Sequence, residues 1–391
     1  MRKPASYDGV VVCAPVTVPY VRFSPETAHW WTGAALFALA EKTGLRPADI
    51  DGFCFSSFSA QPDTVVGVVQ HLGLSPRWMD HIPTGGASGV MALRRAARAV
   101  QAGDAEVVAC VAADTNQIES FRQNLTMFSR FSQDATYPYG FGGPNATFAL
   151  MTDNYMREFG VTRETFAKLC VAQRANALSN PYALMKTPLT VDQYMNARPI
   201  SDPVHLFDCV MPCAGAEAFL VTTPEKAAEL GLSSANIRAT IERHNAFAED
   251  PVQTRGGWVR DIDTLWQAAD RQPSDMDTVQ VYDDYPVIVS MQLEDLGFCA
   301  KGGIAGFVAA NEFTIDGTLP LNTNGGQLSA GQAGAAGGFQ NMTEALRQIL
   351  HQPLGDQVPD ARQALVSGFG LVNYDRGVCT GAAVLQVGDL R

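Results

Sequence analysis

The chain repeats itself at long range. Arg46-Pro-Ala-Asp-Ile-Asp-Gly-Phe-Cys-Phe55 lines up with Gln272-Pro-Ser-Asp-Met-Asp-Thr-Val-Gln-Val281, each following a helix-like stretch and leading into a strand. Gly85-Gly-Ala-Ser-Gly89, a helix and a strand at 105–112 match Gly334-Ala-Ala-Gly-Gly338, a helix and Ala364–Gly370. Ala214-Gly-Ala216 and the strand Phe219–Thr222 echo Thr380-Gly-Ala382 and Val384–Val387. A period near half of the 391 residues predicts two similar halves packed together, not a solenoid of short units. The boundary is expected near 224–240, giving halves 1–235 and 236–391, with a long insertion at about 113–205 in the first.

Within each half, short β-rich runs alternate with helical patterns, an α/β signature. Gly9–Ala14 reads as the first strand, ended by Pro15 because proline cannot donate to a ladder. Trp30–Thr43 reads as a helix stopped by Gly44, and Gly89–Ala102 as one closed by Gly103. Asp51–Ser57 and Ala105–Ala112 read as strands. The stretch Tyr137–Pro144 is a loop by its Gly and Pro content, and the aromatic-rich insertion around it is expected to shape a pocket.

Composition narrows the function. With 46% hydrophobic and 17% charged residues, a large core forms and general disorder is excluded. A net charge of −12, with no Lys/Arg run longer than two, argues against nucleic acid and anionic membranes as partners. The apolar stretch Gly9–Tyr20 is broken by Pro15 and Pro19, is too short to span a bilayer and lacks a signal-peptide layout. The eight cysteines are scattered without a CxxC, and Cys209/Cys213 has no second pair to complete a zinc site. The expectation is a reduced, cytoplasmic enzyme whose cysteines are mostly buried apolar residues.

Six segments in order resemble the thiolase superfamily over nearly the whole chain. Thr84-Gly-Gly-Ala-Ser-Gly89 stands where the family carries its nucleophile in a Cys-x-Ser/Thr-Gly setting. Asp202-Pro-Val-His-Leu-Phe-Asp-Cys-Val-Met-Pro-Cys-Ala-Gly-Ala216 is similar to its Pro-Leu-x-x-x-Asp-Cys…Asp-Gly-Ala segment. Val281-Tyr-Asp-Asp-Tyr285 takes the place of Asn-Glu-Ala-Phe or His-Asp-Cys-Phe, and Leu319–Gly326 is close to Pro-x-Asn-x-x-Gly-Gly. Gly331-Gln-Ala-Gly334 lies in the Gly-His-Pro position and Cys379-Thr-Gly381 matches the terminal Cys-x-Gly. The resemblance implies a duplicated five-layer α/β/α/β/α fold, a homodimer and acyl-CoA thioesters as substrates.

The departures from the pattern bear on chemistry. Gly86 replaces the nucleophilic cysteine, so no thioester intermediate forms there. Gln332 replaces the histidine of Gly-His-Pro, and an amide donates a hydrogen bond but is no base near neutral pH. Tyr282 replaces the Asn/His of the third motif, and Cys379 alone survives of the usual set. This resembles the thiolase-fold steroid side-chain aldolases, which lack the nucleophile, use tyrosine and work with a small DUF35-type partner, an OB-fold with a zinc ribbon. A second tyrosine of that family, at the Gly-His-Pro position, is Gln332 here.

The implied reaction is retro-aldol cleavage of a β-hydroxyacyl-CoA with a steroid-like side chain to a ketone or aldehyde and a shorter acyl-CoA. Coenzyme A enters only as part of the substrate, and no other cofactor or metal is expected. Tyr282 is the expected base, Cys379 a proton donor to the enolate or a displaced nucleophile, and Gln332 an oxyanion donor. Backbone N–H groups at Gly86, in a loop leading into a helix, and at Gly381, in a turn, complete the oxyanion site. Tyr285 is expected on the opposite strand face from Tyr282. Two alternatives stay open: a thiolase or acyltransferase variant using Cys379, and a non-catalytic acyl-CoA-binding subunit. His81 reads as a strand-end or dimer-contact residue, and the Gly-rich runs at 325–326 and 334–338 as tight turns. Arg122 and Arg130, among Phe121, Phe128 and Phe131, read as a CoA or partner contact or as a surface helix.

Overall fold

Nine strands form one mixed sheet in which four strands on one side of the middle are answered by four on the other. They are β1 (Val11–Val21), β2 (Gly52–Ser56), β3 (Trp78–His81), β4 (Val107–Asp114), β7 (Ala214–Thr222), β8 (Ser234–His244), β9 (Thr278–Val281), β10 (Gln363–Asn373) and β11 (Arg376–Val387). The pair β5 (Pro199–Ser201) and β6 (Val204–His205) makes a separate small hairpin. The computed structural model describes residues 6–118, 134, 136–141 and 143–388. Residues 119–133, with Arg122 and Arg130 and with Phe121, Phe128 and Phe131, lie outside them.

The order is β3-β2-β4-β7-β1-β8-β11-β10-β9. Working outward from the β1–β8 junction, β8 answers β1, β11 answers β7, β10 answers β4 and β9 answers β2. The pairing senses agree as well: β2–β4 and β9–β10 are parallel, while β4–β7 and β10–β11 are antiparallel. Where β3 flanks β2, a single parallel bridge from Val279 to Leu321 flanks β9. The junction itself is short, Val11, Val12 and Cys13 pairing with Asn236, Ala235 and Ser234.

The repeated Pro-x-Asp-x-Asp pattern has a physical task in both halves. Asp49 and Asp275 each accept the N–H of the residue before the proline, from Arg46 at 2.8 Å and Gln272 at 2.9 Å, capping a one-turn helix. Asp51 then accepts the N–H groups of Glu106 and Val107, and Asp277 those of Arg362 and Gln363. Each second aspartate thereby pins the start of the neighbouring parallel strand.

Two helices, Ser88–Ala102 and Gly337–Ile349, pack against each other and against strands of both halves. The helix Ala28–Thr43 covers the outer face of the first half and Ile262–Ala269 that of the second. This gives the five layers expected. Every residue of Gly337–Ile349 is buried, polar ones included, so its polar groups need internal partners. Thr343 donates to Glu217 at 2.6 Å, and Glu344 accepts from Thr323 at 2.6 Å and from Gln348 at 2.8 Å. Among the described residues no helix is long and apolar enough to cross a membrane.

Three expectations change. Pro15 does not end β1, which runs on through Pro15 and Pro19 to Val21. The register slips by one residue between Cys13 and Val16, and again between Val18 and Val21, and Ala14 has φ 51°. In a bulge the proline owes no hydrogen bond to the ladder. The Tyr137–Pro144 stretch is a one-turn helix at Tyr137–Tyr139, and Gly143 and Pro144 already belong to the helix Gly143–Phe159. Cys379-Thr-Gly381 is not a turn but the middle of β11, laddered to β10 on one side and β8 on the other.

Candidate active site

A cavity of about 600 Å³ opens where the C-terminal ends of the parallel strands meet the starts of the two central helices. Gly85 and Gly86 border it from the turn before Ser88, and Gln332 and Gly334 from the equivalent turn before Gly337. Tyr282, Asp284 and Tyr285 come from the segment after β9, Asp114 from the end of β4, and Phe369–Val372 from β10. Phe58, Phe148, Val210 and Pro212 add apolar walls. The cavity thus brings together Tyr282, Gln332 and Gly86, which lie far apart in the chain.

Tyr282 follows the last residue of β9, and Gln292 fixes its backbone. The Gln292 amide nitrogen donates to the Tyr282 carbonyl at 2.6 Å, and its oxygen accepts from the Ser367 hydroxyl at 2.6 Å. The ring lies against Gly86: a Cβ there would fall 2.2 Å from the tyrosine ring and 2.2 Å from the Phe369 carbonyl oxygen. The phenol therefore stands in the space a nucleophile's side chain would need. Burial, then the charge of Asp284, pushes the Tyr282 pKa well above its ordinary value, with the Gln332 amide opposing. A phenol held protonated donates rather than abstracts near neutral pH, which counts against the expected role as base.

Gln332 is oriented from both sides. Its backbone N–H donates to Met211 O at 2.9 Å and its carbonyl accepts from Cys213 N–H at 2.9 Å. Its side-chain oxygen accepts the Gly334 N–H at 3.2 Å, and its amide nitrogen donates to the Gly334 carbonyl at 3.4 Å and lies within reach of the Tyr282 hydroxyl.

The two aspartates between the tyrosines have different fates. Asp283 is buried and accepts from the N–H groups of Gln327 and Leu328 and from Gln173 Nε2 at 3.0 Å. Asp284 lines the cavity, lies within reach of the Tyr282 hydroxyl, and its Oδ1 has no hydrogen-bond partner among the described residues. Burial pushes its carboxyl up to about 7, Tyr282 opposing and the charge of Asp283 adding. Sequence reasoning treated Asp284 only as a perturbation of Tyr282. The Tyr-Asp-Asp-Tyr spacing was the available signal, but not which aspartate would face inward.

Tyr285 lines the same cavity rather than an opposite face, because β9 ends at Val281 and strand alternation no longer applies. Its ring stacks on Phe148 at 3.9 Å and its hydroxyl donates to Asn145. Asp114, also missed, accepts from Ser57 Oγ at 2.9 Å, from the N–H groups of Phe58 and Ser59, and from Ala335 N–H at 2.6 Å. It ties the wall at 57–59, in the first half, to the turn before the second central helix.

Cys379 and Gly381 lie outside the lining. Cys379 is 6% exposed, its Sγ is 3.3 Å from His244 Nδ1, and burial, with the charge of Glu242, pushes its thiol up to about 11. The side-chain position of Gly381 faces Val90 and Met91 of the first central helix, and its carbonyl accepts from Trp258 Nε1 at 2.9 Å. As residues inside a ladder, they present no turn N–H to the cavity. His81 ends β3, as expected.

The chain matches the thiolase C-terminal domain-like family over residues 239–380. It is 32% identical to a steroid side-chain-cleaving aldolase of Thermomonospora curvata over 335 residues, 81% of this chain and 83% of that protein. It is 30% identical to a 17-hydroxy-3-oxo-4-pregnene-20-carboxyl-CoA lyase of Mycobacterium tuberculosis over 337 residues, 81% of this chain and 84% of the other. The solved structure of an Ltp2-ChsH2(DUF35) aldolase superposes with a TM-score of 0.84 at 25% identity, covering 99% of both chains.

Proposed function

The chain belongs to the thiolase-fold family of steroid side-chain-cleaving aldolases, and from that premise we propose how its cavity cleaves a carbon–carbon bond. The substrate is a β-hydroxyacyl-CoA carrying a bulky, steroid-like group. The β-hydroxyl proton is removed, a carbonyl forms at Cβ, and the Cα–Cβ bond breaks. Its electron pair passes into a thioester enolate, which is protonated at Cα. The products are a ketone or aldehyde and a shortened acyl-CoA. Coenzyme A enters only as part of the substrate.

The observation that carries this reading is the tyrosine standing where a thiolase nucleophile would stand. With Gly86 against its ring, no nucleophilic side chain fits at that position, while the Tyr282 hydroxyl and the Gln332 amide supply adjacent donors for a developing enolate oxygen. One well-placed donor of this kind contributes about 3–4 kcal/mol to a transition state. Apolar walls from Phe58, Phe148 and Phe369 complement a rigid hydrocarbon skeleton. A homodimer bound to a DUF35-type protein, working in the cytoplasm, completes the proposal; the DUF35 component of the superposed aldolase supports that partner.

Product analysis tests it. The purified protein, with and without a co-expressed DUF35-type partner, is offered β-hydroxyacyl-CoA and β-ketoacyl-CoA esters, each with and without free CoA. Ketone and shortened acyl-CoA from the β-hydroxy ester alone, without free CoA, is the expected result, and Tyr282→Phe lowers kcat by about 10²-fold or more. Cleavage confined to β-keto esters and dependent on free CoA would refute the aldolase.

A further inference from the structure

A retro-aldol cleavage needs a group that accepts a proton from oxygen and delivers one to carbon, and Tyr282 is held protonated. Resting on the aldolase reading, we propose that Asp284 is the catalytic base and acid of this site, with Tyr282 and Gln332 serving as donors to the enolate oxygen.

The argument is one of elimination among the groups that reach the cavity. The titratable groups around Asp284 and in the cavity lining are Tyr282, Asp283 and Tyr285 on its own segment, Cys209 and Cys213 on the stretch before β7, and Asp114 across the cavity at the end of β4. No Lys, Arg or His lines the cavity among the described residues. Asp114 and Asp283 have their oxygens engaged by backbone N–H groups. Burial pushes both neighbouring tyrosines and the thiols of Cys209 and Cys213 up, so none of them ionises near neutral pH. Among the described titratable groups, Asp284 alone combines a place in the lining with a side-chain oxygen that has no partner. A half-buried aspartate whose carboxyl lies near 7 is matched to accepting a proton and returning it at neutral pH.

The cycle balances without a co-reactant. The Asp284 carboxylate takes the β-hydroxyl proton as the C–O bond becomes a carbonyl and the Cα–Cβ pair moves into the enolate. The proton on Asp284 then passes to Cα, which releases the shortened acyl-CoA and restores the carboxylate.

Two measurements on the full-length protein with its partner test the assignment. In the first, kcat and KM for cleavage are followed from about pH 5 to about pH 9 in the wild type, Asp284→Asn and Asp284→Glu. The wild type should lose kcat about tenfold per pH unit below about pH 7. Asp284→Asn should fall by about 10²-fold or more in kcat, with KM little changed, and lose the acidic limb; Asp284→Glu should recover part of the rate with the limb displaced. In the second, the shortened acyl-CoA is incubated in D₂O and deuterium at Cα is read by mass spectrometry, a reaction that breaks no C–C bond. Exchange by the wild type and its loss in Asp284→Asn are expected. An Asn variant that keeps a tenth of the rate or the acidic limb, or that still exchanges Cα, overturns the assignment while leaving the aldolase standing. If Asp284→Asn does not fold, an unchanged limb in Asp284→Glu overturns it equally. A wild type that cleaves nothing overturns the aldolase reading and this assignment with it.

Discussion

A Cβ at Gly86 would collide with both the Tyr282 ring and the Phe369 carbonyl oxygen, so the absence of a side chain there is what makes room for the phenol. Gly86→Ala should destabilise the fold by about 1–3 kcal/mol and displace the tyrosine. In a Tyr282→Ala background the cost should shrink without vanishing, because the carbonyl remains; urea titration of the double-mutant cycle reads the coupling. Asp284 supplies a second prediction at this scale. Its folded-state pKa is raised, so the folded protein binds the proton more tightly than the unfolded chain. The resulting penalty is fully present above about pH 7, fades as pH falls toward the ordinary carboxylate value, and amounts to at most about 4 kcal/mol. Asp284→Asn should therefore raise Tm clearly at about pH 8, and the difference from the wild type should narrow as the pH is lowered toward 4. Of these residues, Tyr282, Gln332 and Gly86 were legible in the motifs, because a substituted motif position announces itself. Asp284 was not, since two adjacent aspartates look alike until one is turned toward N–H donors and the other toward a cavity.

Elements tell a similar story. Helix ends were readable where glycine takes a left-handed turn, as at Gly44 with φ 73° and Gly103 with φ 77°. The course of β1 through its two prolines was not, because a bulge depends on the partner strand, which lies some 200 residues away. The Cys379 segment was misread for the same reason: the glycine beside it suggested a turn, and only the ladders to β8 and β10 show a strand. Asp114 joins elements from both halves around the cavity wall. Asp114→Ala leaves the N–H groups of Phe58, Ser59 and Ala335 without their acceptor, which should cost about 3 kcal/mol or more in chemical denaturation and raise KM as the wall loosens.

Across the whole molecule, the two halves are held by more than the short β1–β8 pairing. Arg94 and Arg95, on the first central helix, meet Glu242 on β8 at 2.9 and 2.5 Å. Burial alone would raise the Glu242 carboxyl, but Arg95, His244 and Arg94 outweigh it and hold it near 2. A depressed carboxylate contributes stability above its ordinary pKa and loses it as pH falls through the folded value. Glu242→Gln should thus cost about 2 kcal/mol at pH 7, allowing for the partly exposed arginines, with the difference shrinking at about pH 3.5. Urea midpoints at the two pH values check it. Duplication and α/β class were determined by the sequence itself, because repeated caps, glycines and apolar runs act locally and recur in both halves, while the five layers followed from the thiolase resemblance. Which carboxylate faces the cavity, and that Cys379 lies behind it, were decided only by tertiary structure. Side-chain direction after β9 depends on packing against residues remote in the chain, and no local pattern encodes that.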